Sequence, residues 1–157
     1  MTARASNRAA LAILVVALTF LHFALRPATD HWVASPNLLL CAVLVAAREL
    51  RSGTAAGVGF VLGLLEDAMA VSYFGLATLL LVPIAYIGSR TRDLFVGEEL
   101  LFMGAYLFVG TWLYEVLTYL VAGSGGALLS HLFVRAPLDG LTTAVVGYLT
   151  VPLVGVR

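Results

Sequence analysis

Residues 53–67, Gly-Thr-Ala-Ala-Gly-Val-Gly-Phe-Val-Leu-Gly-Leu-Leu-Glu-Asp, set the tightest limit on what this chain can fold into. They form an apolar segment with small residues at four-residue spacing, ending on two acids. On a helix, Gly59, Gly63 and Asp67 fall at i, i+4 and i+8 and make one nearly straight stripe, which Ala56 and Ala70 extend. Gly53 and Gly57 open a second small-residue face. Small residues so spaced let another helix approach the backbone closely. An ionisable group in or near a membrane span is expensive, so it marks a candidate functional position.

The rest of the chain agrees with a membrane setting. It is 61% hydrophobic and 11% charged, with a mean hydropathy of +1.00, whereas soluble domains carry about 25% charged residues. Its 157 residues form one domain, 1–157, with room for five or six spans of about 20 residues each. The net charge is zero, and no basic patch with interleaved aromatics points to nucleic acid. Cys41 is the single cysteine, which excludes an internal disulfide and a cysteine metal cluster.

Apolar runs and their punctuation place spans at about 9–25, 34–48, 53–71, 75–90, 98–122 and 137–156, each boundary good to about ±4 residues. The first run follows Arg4 and Arg8, but it is long for a signal peptide and lacks a small-x-small cleavage site before Arg26. Arginine placement supports six spans. With both termini cytoplasmic, Arg4, Arg8, Arg48, Arg51, Arg90, Arg92 and Arg157 lie inside and only Arg26 and Arg135 outside. Five spans scatter them over both faces. The glycines at 123, 125 and 126 end the fifth span. Residues 127–135 are too short to cross and are expected as a brief interfacial helix, and Pro137 is expected to start the last span.

Ser35-Pro36-Asn37-Leu38-Leu39-Leu40, the Gly-Phe-x-x-Gly-x-x-x-Asp pattern of Gly59, Phe60, Gly63 and Asp67, then Gly75 and Ile84-Ala85-Tyr86-Ile87 resemble the MreD family of rod-shape-determining membrane proteins. The resemblance covers roughly residues 35–90 in order and spacing; the termini agree in length and hydropathy only. Glu66, beside the family's Asp position, departs from the pattern. The resemblance implies an all-α, polytopic fold of six transmembrane helices like the substrate-binding subunit of energy-coupling-factor transporters. It also implies a non-enzymatic subunit of the bacterial inner membrane without a cofactor. Its partner is the bitopic protein MreC, and through it MreB filaments, RodA and the elongation transpeptidase, in a bed of membrane lipids.

On their own terms, the candidate positions each carry two readings. The Gly59–Gly63–Asp67 stripe is either a groove for a partner helix or small ligand, with Phe60 beside it, or ordinary packing against the second or fourth span. Asp67 sits about four residues, or roughly 6 Å, from the outer end of its span, near the unfavourable negative end of its helix dipole. Arg26, Arg135, His22 and His131 are its candidate partners. Glu66 points about 100° away on a helix and is read as a solvated or interfacial acid. Glu115 lies inside the fifth span and should face protein or a wet cavity. Asp139 falls in the expected first turn of the last span, where a helix N-terminus favours negative charge. Together Asp67, Glu115 and Asp139 are candidates for an outward polar pocket. Pro36 and Asn37 either cap the second span or reach a partner or the Asp67 region. Trp32, Tyr73, Phe74 and Tyr119 read as interfacial anchors.

No nucleophile with a nearby base, metal-ligand spacing or phosphate-cradling loop is visible in the sequence, so the chain is not read as an enzyme. Two functions remain: an assembly subunit of the cell-wall elongation complex, and a small-molecule (vitamin-like) binding or transport subunit.

Overall fold

The computed structural model describes residues 2–29, 34–70, 73–91, 100–123 and 128–150, with backbone alone at 2–7, 29, 100 and 101. Arg4's side chain, His31, Trp32, Arg92, Ser124, Gly125, Gly126 and the expected end of the last span lie outside what is described. The described residues form long helices without a strand: α1 (Thr2–Thr29), α2 (Leu38–Glu49), α3 (Ser52–Met69), α4 (Leu76–Thr91), α5 (Leu100–Ala122) and α6 (Ala136–Thr150). A short turn, Leu128–Ser130, and a π-helical stretch, His131–Arg135, run directly into α6.

The order of packing follows from α2. Residues 38–47 read Leu-Leu-Leu-Cys-Ala-Val-Leu-Val-Ala-Ala and have no polar face, so every one of them is buried. A helix apolar all round belongs in the middle of a fold. The other five helices all pack on it. At 12 residues it is about 18 Å long, shorter than the roughly 30 Å hydrocarbon core of a bilayer. Two stretches are long and apolar enough to cross a membrane by length and composition, Arg8–Ala28 and Phe102–Ala122, and Leu76–Thr91 is a shorter apolar helix.

Consecutive helices alternate in direction, which sorts the charges. Arg48 at the end of α2 donates to the Met103 sulfur near the start of α5 at 3.0 Å, and Ser89 near the end of α4 donates to the Leu50 carbonyl at 2.8 Å. Arg48, Arg51 and Arg90 therefore share one end of the bundle. The opposite end carries Arg26, Glu66, Asp67 and Asp139.

Close approach is bought with glycine. A Cβ on Gly59 would lie 2.7 Å from the Leu81 carbonyl oxygen, and one on Gly63 would lie 2.6 Å from the Thr78 Cα. No side chain but hydrogen fits either place. Apolar burial adds no net drive against lipid tails, so contacts of this kind, through dispersion and backbone proximity, hold membrane helices together. Gly75, at φ +94°, turns the chain from α3 into α4, a backbone region open to glycine and strained for other residues.

Pro137 falls in the first turn of α6, as its ring suggested, but the chain is already helical upstream of it. The helical run begins at Leu128 and passes through it. The physical reason lies in the π turn. The Ala136 N–H bonds back five residues to the His131 carbonyl. The next carbonyl, Leu132, would need the N–H that Pro137 lacks. Trp112 on α5 supplies the donor instead, its Nε1–H reaching the Leu132 oxygen at 3.2 Å.

Candidate functional site

The polar end of the bundle is built from three junctions. At the first, Asp67, 1% exposed, lies near the end of α3 where the short connection brings the start of α4 onto it. Its Oδ1 accepts the Ala77 N–H at 2.9 Å, and its Oδ2 accepts the Thr78 N–H at 2.9 Å and the Thr78 hydroxyl at 2.5 Å. These N–H groups belong to the first turn of α4, which has no intrahelical partner for them. The positive end of α4 thus offsets the unfavourable end of Asp67's own helix. The expected partners Arg26, Arg135, His22 and His131 are not used; two backbone N–H groups and the Thr78 hydroxyl supply the donors.

At the second junction the solvated alternative for Glu66 is corrected. Glu66 is not a solvated acid: its side chain is 17% exposed, and its two oxygens face Arg26 Nη1 at 3.1 Å and His22 Nε2 at 3.2 Å. Arg26 and His22 are one turn apart on α1, so one carboxylate holds both and clasps α1 to α3. The 100° turn between neighbouring helix residues explains the exchange of roles. Glu66 faces α1, whereas Asp67 faces α4.

The third junction centres on Asn37. Its side-chain oxygen accepts the Leu40 N–H at 3.0 Å and caps α2. Its side chain also lies beside that of Glu115 on α5. Its backbone N–H donates to the Thr143 hydroxyl at 2.9 Å. One residue therefore caps α2 and ties it to α6. Two residues earlier, the Ser35 N–H donates to Asp139 Oδ1 at 2.8 Å. Asp139 is the fourth residue of α6 in a helix that continues upstream. It lies in the first turn of α6, as expected, and its carboxylate also anchors the entry to α2.

Of the predicted residues, the structure groups Pro36, Asn37, Glu115 and Asp139 around the start of α2, and Glu115 and Asp139 are close enough for their charges to interact. Asp67, expected in the same pocket, is turned into α4. Gly59 and Gly63 lie under α4 as well. Phe60 faces outward, 52% exposed, on the side of α3 where a Cβ added at Gly53 or Gly57 would meet no atom within 4 Å. Thr78 and Thr143 escaped the sequence reading, and Ser35 entered it only as part of the Ser35-Pro36-Asn37 pattern. The signal for each was a hydroxyl or loop N–H beside a helix start, which only tertiary contact turns into a partner. A small cleft of about 150 Å³ opens between α1, α3 and the α2 entry, lined by His22, Leu25, Arg26, Ser35, Pro36, Leu38 and Glu66.

Among known proteins, the family model of the rod shape-determining protein MreD matches residues 4–155. No curated protein and no solved structure matches the chain.

Proposed function

Because the chain belongs to the MreD family, a membrane family of rod shape determination, we propose that it acts as a non-catalytic subunit of the cell-wall elongation complex. In this reading it crosses the bacterial inner membrane six times with both termini cytoplasmic. It binds the MreC-type bitopic protein, and through it the peptidoglycan synthases and MreB filaments.

The observation that carries this reading is the division of labour on α3. One glycine face is filled by α4 at backbone contact, while the opposite face, with Gly53, Gly57, Phe60, Val61 and Leu64, is open. A partner helix can approach there as α4 does on the other side. The acids support a scaffold over a catalyst, because Glu66, Asp67 and Asp139 each hold one segment of the chain to another. A vitamin-like ligand draws no support from the cleft beside Glu66, which at about 150 Å³ is smaller than the roughly 300–1,000 Å³ usual for small-molecule pockets.

The test is co-purification in mild detergent with the MreC-type protein of the same source. Gly57→Leu and Phe60→Ala are expected to weaken a stoichiometric complex while the subunit stays monodisperse. Full retention of the complex in both variants would reject this face as the contact.

A further inference from the structure

The helices of this bundle differ widely in length. α1 has 28 residues and α5 has 23, about 42 and 34 Å at a rise of 1.5 Å per residue. Both exceed the roughly 30 Å of a bilayer's hydrocarbon. α3 has 18 residues and α4 has 16, about 27 and 24 Å. The two short helices run side by side in one register, set by Gly63 against Thr78 and by Asp67 on the first turn of α4. Neither therefore extends the reach of the other. Their outward sides are apolar, with Leu65 and Met69 on α3 and Leu79 and Ile87 on α4 all exposed. Together they make one short apolar edge of the bundle.

Each end of this edge carries a marker of the membrane surface. At the end that holds Asp67, Tyr73 and Phe74 are 62% and 72% exposed, and exposed aromatic rings belong at headgroup level. Tyr73 has φ +58°, a left-handed backbone disfavoured for any residue but glycine. At the other end Arg90 is exposed. A cation on a span that is too short relieves the mismatch by snorkelling away from the membrane centre. Arg90 reaches the other way. Its Nη2 donates to the Tyr86 hydroxyl at 3.1 Å, and its guanidinium carbon lies 5.6 Å from the centre of the Tyr86 ring. Tyr86 is one turn nearer the middle of the helix, so this contact draws the charge inward. Neither marker suits hydrocarbon. A guanidinium is costly there, and the irregular backbone at Tyr73 and Phe74 would lack hydrogen-bond partners.

We infer that the α3–α4 edge sits in a locally thinned bilayer and favours short-chain lipids as neighbours, Tyr73 and Arg90 marking two surfaces about 24 Å apart. The inference rests on the reading that α3 and α4 cross the membrane. It does not rest on the partner proposed for α3, because the outward side of α4 stays on lipid whether or not a helix covers Gly57 and Phe60.

The test is recovery of the full chain in polymer-bounded bilayer discs from vesicles that hold equal amounts of two phosphatidylcholines, one with myristoleoyl and one with eicosenoyl chains. Mass spectrometry counts the lipids that come with the protein. The short-chain lipid should be enriched about twofold over the starting mixture. Tyr86→Leu frees Arg90 to snorkel, and Arg90→Leu removes the charge, so each should cut that enrichment by about half. Both side chains face out of the bundle, which keeps its packing out of the comparison. Arg8→Leu, on the long α1, should leave the enrichment as it was. Recovery of both lipids in equal amounts would overturn the inference. So would an enrichment that survives both Tyr86→Leu and Arg90→Leu, or one that falls equally in Arg8→Leu. Discs that hold two copies of the chain with no enrichment would overturn it as well, because a second copy would then cover the short edge. Failure to recover the chain in discs at all would reject the membrane-crossing reading beneath it, an outcome distinct from recovery without enrichment.

Discussion

Asp67 on α3 accepts both the backbone N–H and the hydroxyl of Thr78 on α4. With the Ala77 N–H on its other oxygen, the carboxylate serves as an N-terminal cap supplied by a neighbouring helix. Removing it leaves two buried backbone donors without partners, each costing about 1–3 kcal/mol. Asp67→Ala is therefore expected to destabilise the protein by about 3 kcal/mol. Asp67→Asn keeps one acceptor and turns a donor toward donors, and should cost about half as much. Thr78→Val, which removes the hydroxyl but keeps the N–H, should cost the least. Unfolding in mixed micelles gives the three values, and a different order would mean that the charge rather than the donor set is being satisfied.

Glu66→Gln should behave differently from Asp67→Asn. Its partners are side chains, and Arg26 is more than a third exposed, so loss of the pair is discounted for solvent screening and should cost no more than about 1 kcal/mol. The effect should appear in α1. Hydrogen exchange near His22 and Arg26 is expected to rise while exchange at the start of α4 stays as it was. Faster exchange in α4 would show that Glu66, not Asp67, secures that helix.

The contrast between these adjacent acids marks how far the sequence carries. The stripe of Gly59, Gly63 and Asp67 and the all-apolar run of α2 are periodic signals, and periodicity reports which face is small or buried. It does not report what lies opposite. Asp67 needed a positive neighbour, and the sequence offered arginines and histidines because only side chains are legible as charges. The N-terminus of α4 is a positive charge made of backbone, visible only once the connection after Met69 brings it there. Asn37 was legible as a cap for the same reason that its other bonds were not: Leu40 is three residues away, whereas Thr143 is more than a hundred.

The two glycine faces of α3 should respond in opposite ways to a methyl group. Gly63→Ala puts a Cβ 2.6 Å from the Thr78 Cα. Both sides of that contact are backbone, so α3 and α4 must move apart, at a cost of about 1–3 kcal/mol. Gly57→Ala meets nothing within 4 Å and gains helix propensity, worth up to about 1 kcal/mol. Thermal melts of the isolated subunit distinguish them. Equal destabilisation by both would mean that the open face is occupied within the subunit.

Trp112 and Pro137 are expected to be thermodynamically coupled although they lie on different helices. The Leu132 carbonyl is left without a helical donor because Pro137 has no N–H, and the Trp112 indole fills the vacancy at 3.2 Å. Trp112→Phe keeps most of the aromatic packing and removes the donor, so it should cost about 1 kcal/mol for a carbonyl left unsatisfied. Pro137→Ala restores an N–H at the position from which a π turn reaches Leu132. In that background Trp112→Phe removes a donor that is no longer needed alone, and its cost should fall by about 0.5–1 kcal/mol. A double-mutant cycle on detergent-solubilised protein measures the difference. Additivity of the two substitutions would mean that the indole contributes to this junction by packing and not by its hydrogen bond.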